Sequence, residues 1–457
     1  MAELNTPESS TPIKSWTDHI VVKVAIIGFI ILILMIPSLM ILNLVSERAQ
    51  RMRVVMNEVS SKWGQVQTIA GPYISIPYYE EVKKSDNETE WVEKELHYFP
   101  KTLNVNGTLD PIIRKRSIFK VMLYQSDLKL SGHFDYPNLT ALQISPEHVK
   151  WEKATVHIGI SDLLGISKQV EIKIGDTLLS MTASTPVAIH FSNGLFSRLP
   201  QTKLTTAGFE FEIALALKGS AGLYITPVAN KTSVDLVSTW PSPKFEGQFL
   251  PDSSAISSNG FKAHWTILDI NRQITQEWTD DLSQNLSGNF PTGTEYYNGE
   301  TSPNEIVLGV ELLQTVDHYA KNDRTVKYAF LLISLTFIVY FFFEVLKKQK
   351  VHPLQYGLVG AAIVIFFILL LSLSEHLGFD NAYMISSIAT TLLITMYSRS
   401  IFTQKRFAFF VGGLLLLQFG FIYTILQLED FALLAGSIAL FCIIALIMYL
   451  TRKVKWA

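Results

Sequence analysis

Along the last third of the chain, from Lys327 to Trp456, long apolar runs alternate with short polar connections. The runs are Tyr328 to Leu346, Leu354 to Leu373, Ala382 to Tyr397, Phe407 to Leu428 and Phe431 to Leu450. A helix rises 1.5 Å per residue, so about 20 residues cross the ~30 Å hydrocarbon of a bilayer. Lipid offers bare backbone no hydrogen bonds, so each run is predicted to be a transmembrane helix. A sixth run, Ile20 to Val45, stands near the start, with Pro37 expected to kink it. It exceeds a signal-peptide core and lacks a small-residue cleavage pattern at its end, so it reads as an uncleaved anchor. Beyond it, Val45, Ala49, Met52, Met56, Val59 and Trp63 recur at steps of four and three. That spacing predicts a helix continuing past the anchor and ending at Gly64, with one apolar stripe that packs on the domain that follows, the preferred reading, or pairs with another helix.

Between the first and second apolar runs the pattern shifts to short β-type segments broken by Gly, Pro and Asn. Strands are predicted around Val66 to Ile76, Ile118 to Tyr124, Thr155 to Ile160, Gln169 to Ile174, Val187 to Phe191, Phe209 to Leu217, Leu223 to Thr226, Ser233 to Ser238, His264 to Ile270 and Ile306 to Leu313. The expected fold class is membrane α + β: six transmembrane helices, one N-terminal and five C-terminal, with an all-β, sandwich-like domain inserted after the first. The division is a tail at 1–19, a helix at 20–45, the β domain at 46–326, five helices over 327–451 and a tail at 452–457. Glu80 to Glu95 reads as a solvated loop or hairpin tip, and Thr279 to Asn304 as a linker. Lys129-Leu-Ser-Gly132-His-Phe returns as Lys244-Phe-Glu-Gly247-Gln-Phe, 115 residues on. Either the β domain is duplicated, with units of about 64–195 and 196–313 and Gly132 equivalent to Gly247, or two hairpins are alike by chance.

Charge sets the orientation. Lys347, Lys348 and Lys350, then Arg399, Lys405 and Arg406, then Arg452, Lys453 and Lys455 fill alternate connections, whereas Ser374 to Asn381 and Glu429-Asp430 contain no Lys or Arg. The positive-inside rule then puts both termini in the cytoplasm and residues 46–326 on the far side. Arg48, Arg51, Arg53, Lys321, Arg324 and Lys327 run against that trend, but long exported domains are largely exempt from it. A hydrophobic share of 48% with only 17% charged residues fits a membrane protein, and a net charge of −2 gives no nucleic-acid footprint. The one cysteine, Cys442, lies in the last apolar run and excludes an intrachain disulfide.

Reaction chemistry is not legible. The histidines, among them His97, His133, His157, His190 and His264, lack the spacing of a zinc site, and there is no nucleophile elbow or phosphate loop. No cofactor, metal or catalytic residue is expected. Ionisable residues beside the apolar runs are the sharper signal, because a charge there is costly and usually has a partner or a task. Glu344 precedes Lys348 by four residues, so an interfacial ion pair is the preferred reading. Glu375-His376 and Glu429-Asp430 fall at two turns on the exported side. They are turn caps, or a place for a cation, lipid head group or proton, or acidic partners through which Arg48, Arg51 or Arg324 hold the β domain against the bundle.

Several longer motifs point to a family. Lys62-Trp-Gly-x-x-Gln-Thr-Ile-x-Gly-Pro, Ser238-Thr-Trp-x-x-Pro-x-Phe-x-Gly-x-Phe-Leu-Pro, Asn271-Arg, His352-Pro-Leu-Gln-Tyr-Gly-Leu-Val-Gly, Ser372-Leu-Ser-Glu-His-Leu-Gly-Phe and Glu429-Asp-Phe-Ala-Leu-Leu-x-Gly-Ser together resemble the CreD family of bacterial inner-membrane proteins, nearly end to end. Where that family carries Arg-Gly, this chain has Arg116-Ser117, which leaves a turn without its glycine. The resemblance implies a multi-pass protein of the Gram-negative inner membrane tied to envelope integrity, colicin tolerance and the β-lactam response, with no known reaction or ligand. Three function classes follow: a non-enzymatic envelope factor whose periplasmic β module binds an unidentified envelope partner, which is favoured; a transporter or lipid-handling protein; and an enzyme with its site in the β domain. The bilayer is the one partner the pattern identifies, and oligomeric state is open.

Overall fold

The computed structural model describes residues 20–85, 88–183, 193–200, 207–272, 274–279, 306–312, 318–347, 351–402, 404–428 and isolated positions between 434 and 448. The chain forms two compact units: a helical one from residues 1–53 with 316–457, and a β-rich one from residues 54–315.

The β unit holds β1 (Gln67–Ser85), β2 (Glu88–Tyr98), β3 (Thr102–Arg116), β4 (Phe119–Phe134), β5 (Thr155–Ile160) and β6 (Glu171–Ile174). Next come β7 (Thr177–Ser180), β8 (Thr182–Ala183), β9 (Gly194–Arg198), β10 (Phe209–Ser220), β11 (Gly222–Thr226) and β12 (Lys231–Ser238). The last are β13 (Pro243–Gly247), β14 (Ser253–Ser257), β15 (Gly260–Leu268), β16 (Glu277–Thr279) and β17 (Leu308–Leu312). They pair into a nine-stranded sheet, β13-β17-β11-β1-β5-β9-β8 with β2 joining β1 to β16, and an eight-stranded sheet, β14-β15-β12-β3-β4-β10-β6-β7. Inward residues of both, such as Ile74, Val156 and Val310 from the first and Leu103, Leu130 and Trp265 from the second, belong to one apolar core.

Sequence dictates how the core is reached. In β3, Leu103, Val105 and Leu109 are buried while Asn104, Asn106 and Asp110 are exposed, the period-2 pattern of a strand with one wet face. Gly64 ends the turn after the first helix at φ +151°, where a Cβ would lie 2.4 Å from the Lys218 carbonyl oxygen, so only glycine fits. Gln67, fully buried, then donates to the carbonyls of Asp162 and Lys218 at 3.1 Å each and ties the start of β1 to the segment after β5 and to β10 of the other sheet. Arg272 of the Asn271-Arg motif is buried as well, and its guanidinium donates to the Val228, Ala229 and Ile274 carbonyls. Ser117 occupies the position without a glycine in the left-handed region, φ 57°, so the β3–β4 turn is kept.

Several expectations are corrected. Strands β3 and β2 were not anticipated, and most of the charged run Glu80 to Glu95 pairs as the β1–β2 hairpin, from Ile74 opposite Tyr98 out to Ser85 opposite Glu88. Gly132 and Gly247 are not equivalent: Gly132 lies inside β4, laddered between β3 and β10, whereas Gly247 ends β13 in the other sheet at φ +105°. Both sheets draw strands from both proposed halves, so the 115-residue offset aligns segments in different surroundings. The strand expected at Val187 to Phe191, most of the linker from Thr279 to Asn304 and the tails at 1–19 and 452–457 lie outside the described residues.

The helical unit contains α1 (Ile20–Ser60, extending into the β unit), α2 (His318–Lys327), α3 (Ala329–Lys347), α4 (Pro353–Leu377), α5 (Phe379–Ile401) and α6 (Lys405–Gln427). Residues 318–326, assigned from sequence to the β domain, are thus helix and belong with the bundle. Helix α1 is continuous through Pro37 and buries Leu34, Ser38, Ile41 and Val45, a stripe at steps of four, three and four. Gly360 of α4 admits it closely, since a Cβ there would meet Leu34 Cδ1 at 2.1 Å. Among the described residues three helices, α1, α4 and α6, are long and apolar enough to cross a membrane, and α2 with α3, bent by 41°, counts as a fourth if it is one span. This is fewer than the six expected. Ser and Thr lower the mean apolarity of α5, and the Phe431 to Leu450 run lies largely outside the described residues.

Candidate functional site

Two clusters of polar groups gather at opposite ends of the helical bundle. At one end Glu344, near the end of α3 and 5% exposed, accepts from the Lys23 ammonium of α1, from the Val351 N–H at 3.1 Å and from the Tyr356 hydroxyl of α4 at 3.1 Å. The His352-Pro-Leu-Gln-Tyr motif explains the arrangement. His352 Nδ1 accepts from the Leu354 N–H at 3.2 Å and Gln355 Oε1 from the His352 N–H at 2.9 Å, which caps α4. Pro353 supplies a first turn whose missing N–H costs nothing, and Tyr356 then falls one turn in, facing the carboxylate. A buried carboxylate needs such partners, because desolvation costs several kcal/mol per ion.

At the other end Glu375, in the last turn of α4, accepts from the Tyr319 hydroxyl of α2 at 3.0 Å and lies 3.9 Å from the Arg48 guanidinium of α1. One residue earlier, Ser374 accepts from Asn322 Nδ2 at 2.9 Å, a bond buried between α2 and α4. Gly378, φ +80°, turns the chain into α5. Beyond it Asp380 accepts from Tyr423 and Gln427 of α6, each at 3.0 Å. Lys23 and Arg48 are 25 residues apart on α1, and Tyr356 and Glu375 are 19 apart on α4. At 1.5 Å per residue these are about 38 and about 29 Å, so the two clusters bracket a layer as thick as a bilayer's hydrocarbon core.

Between the clusters the bundle interior is polar in places. Thr336 of α3 donates to Gln418 Oε1 of α6 at 3.3 Å, Tyr340 bonds to Ser398, and the Tyr383 hydroxyl donates to the Phe419 carbonyl at 2.8 Å. Gln418 Nε2, Ser386 Oγ and Thr391 Oγ1 are buried without a partner among the described residues. Helix α5 buries Ser386, Ser387, Thr390, Thr391 and Ser398 and exposes Met384, Ile385, Ile388, Leu392, Leu393 and Met396.

The structure treats the sequence candidates unequally. Lys348, expected to pair with Glu344, lies outside the described residues, and it is Lys23, 321 positions away, that reaches the carboxylate. Arg48 approaches Glu375, but both belong to the helical unit, so this contact ties α1 to α4 rather than to the β domain. Arg51 pairs instead with Glu47 on its own helix at 3.1 Å. Arg324 and His376 are exposed, and Glu429 and Asp430 lie outside the described residues. Tyr319, Asn322 and Tyr356 were missed, because the groups they meet, Glu375, Ser374 and Glu344, lie 56, 52 and 12 positions away and no local spacing points to them.

In the β unit, His97, His157 and Tyr73 share one face of the nine-stranded sheet. His157 stacks on Tyr73 with ring centroids 4.9 Å apart, and His97 on Trp278 at 5.4 Å. Burial first, and His97 second, pushes the His157 pKa down to about 4. No group of three or more His, Cys, Asp or Glu among the described residues is placed to hold a metal ion.

Comparison with known proteins bears on the whole chain. The family model described as Inner membrane protein CreD matches residues 19–457. The Inner membrane protein CreD of Escherichia coli (strain K12) is 30% identical over 429 residues, covering 93% of this chain and 91% of that protein. A match of that extent, through both the β unit and the helical unit, means that this chain belongs to the CreD family of inner membrane proteins.

Proposed function

We propose that this protein is a non-enzymatic inner-membrane envelope factor, with six transmembrane helices, both termini in the cytoplasm and a periplasmic β module that binds or stabilises an envelope component. The observation that carries the reading is the inverted polarity of α5, apolar outside and hydroxyl-rich inside, in a chain whose β unit has a core of its own. Lipid, unlike water, accommodates an exposed face of Met, Ile and Leu, so α5 counts as a span although Ser and Thr lower its hydropathy. With Phe431 to Leu450 the number becomes six, and the Lys and Arg of alternate connections orient it. A cysteine at exposed Ser254 of β14, in a Cys442→Ser background, tests the topology. Labelling by an impermeant reagent from the periplasm is expected; labelling from the cytoplasm alone overturns the reading. In cells, loss of the protein is expected to alter colicin and β-lactam sensitivity, and an unchanged response removes the envelope role.

The buried Thr336–Gln418 pair, with Gln418 Nε2 unpartnered among the described residues, favours a second reading in which the bundle passes a small polar species or lipid head group. Gln418→Leu separates the two: it abolishes function if the bundle conducts and leaves it intact if the bundle only anchors.

A further inference from the structure

Where α1 ends, the chain builds a cationic cavity that neither the family nor the proposed role accounts for. Its volume is about 290 Å³, and its lining includes Glu58, Lys62, Trp63, Arg114, Lys115 and Arg116. All of these belong to the β unit. Trp63 is held by its Nε1–H, which donates to the Tyr124 carbonyl at 3.3 Å. Two cations gather on its ring, the Arg114 guanidinium 4.7 Å and the Lys218 ammonium 4.9 Å from the centroid. Glu58 is the one acid in the lining and is already engaged, 2.8 Å from Lys62 and 3.3 Å from Arg116. In the lining, Lys62, Arg114, Lys115 and Arg116 against Glu58 leave an excess of three positive charges, and Lys218 adds a further cation over the Trp63 ring.

Like charges gathered at one site repel one another. An arrangement that concentrates them around a fixed indole gains most from an anion, and the guanidinium fork matches phosphate oxygens two at a time. Val59 and Leu123 add an apolar wall to the same cavity, suited to the carbon skeleton that carries the phosphate. We propose that this cavity binds a phosphate-bearing group, either the head of an anionic phospholipid or a small soluble phosphorylated molecule.

The test uses the full-length protein and a triple variant, Arg114→Gln, Arg116→Gln and Lys218→Gln. In phosphatidylcholine nanodiscs, binding of inorganic phosphate is measured by equilibrium dialysis. In detergent, retention of added phosphatidylglycerol against phosphatidylcholine is read by native mass spectrometry. Saturable phosphate binding that weakens at least tenfold in the variant, without enrichment of phosphatidylglycerol, assigns a soluble ligand. Phosphatidylglycerol enrichment lost in the variant assigns a lipid head group. Equal binding of both probes by the two proteins overturns the proposal. Absence of saturable binding of either probe to the wild type overturns it without reference to the variant's folding. Because orientation and helix count do not enter these measurements, their failure is distinct from failure of the proposed topology.

Discussion

Strand β3 and helix α5 sort their side chains in opposite directions. In β3, leucine and valine go in while asparagine and aspartate go out; in α5, serine and threonine go in while methionine, isoleucine and leucine go out. One chain thus contains two inside-out versions of the same rule, because the solvent differs. Water rewards the burial of apolar surface by roughly 25 cal/mol per Å², whereas lipid tails are as apolar as leucine and leave helices to associate by close packing and hydrogen bonds. Gly360 against Leu34, and Gly412 against Thr395 Oγ1, where a Cβ would come within 2.4 Å, are close approaches of that second kind.

The contrast can be broken by substitution, and the largest effect belongs to the β unit. Trp265 is fully buried, contacts Phe245 edge-on at 5.7 Å and donates to the Phe249 carbonyl. Trp265→Ala is expected to cost about 3–5 kcal/mol, read as protease susceptibility of the β unit in the full-length protein; wild-type resistance would show that the core is not continuous there. In the bundle, Glu344→Ala strands the Lys23 ammonium and is expected to cost roughly 2–3 kcal/mol, less than a fully buried pair because Lys23 is partly exposed. Lys23→Met combined with Glu344→Met should recover most of the thermal stability in detergent; a double variant no better than the single would refute the pairing.

Histidine sharpens the comparison through pH. With its folded pKa near 4, His157 is neutral in the native β unit, while the unfolded chain takes up a proton below about pH 6.5. The unfolded state therefore binds more protons between those values. Stability is full above about pH 6.5, falls by about 3 kcal/mol as pH drops toward 4, and then levels off. Proteolysis between pH 7 and 4.5 with an acid-active protease should show this slope in the wild type and a shallower one in His157→Gln; identical slopes would place the proton elsewhere. Gly360→Ala pushes on the flexible end of Leu34 and is expected to lower the melting temperature in detergent by a shift worth about 1 kcal/mol. Smallest is Thr391→Val, which removes a buried hydroxyl without a partner among the described residues, and is expected to change stability by within about 0.5 kcal/mol. A large loss would mean that the hydroxyl holds a water or ligand.

How legible each feature was follows from its range. The first apolar run and the helix extending past it could be read directly, since every residue of a helix answers to neighbours three and four positions away. Strand β3 was missed although Leu103, Val105 and Leu109 alternate perfectly, because Asn, Gly and Asp lower β propensity and masked the period. The repeat misled because K-x-x-G-x-F describes a local texture, and texture does not specify which sheet a strand joins. Glu344 stands out in the sequence as a costly charge, and Lys348, the partner expected for it, lies outside the described residues. The Lys23 that meets it lies on another helix, and nothing within one helical turn identifies it.

By itself the sequence determined that long apolar runs call for helices, that the stretch between the first two of them is β-rich, and that a charge such as Glu344 beside an apolar run calls for a partner or a task. These follow from backbone hydrogen bonding and the cost of desolvating charge, which act locally along any chain. Only the tertiary structure decided that Lys23 meets Glu344, that Tyr319 and Arg48 meet Glu375, that two sheets share one core, and that five cations converge beside Trp63. Those pairings join residues tens to hundreds of positions apart, and they are selected by how whole helices and sheets pack rather than by any preference of the residues themselves.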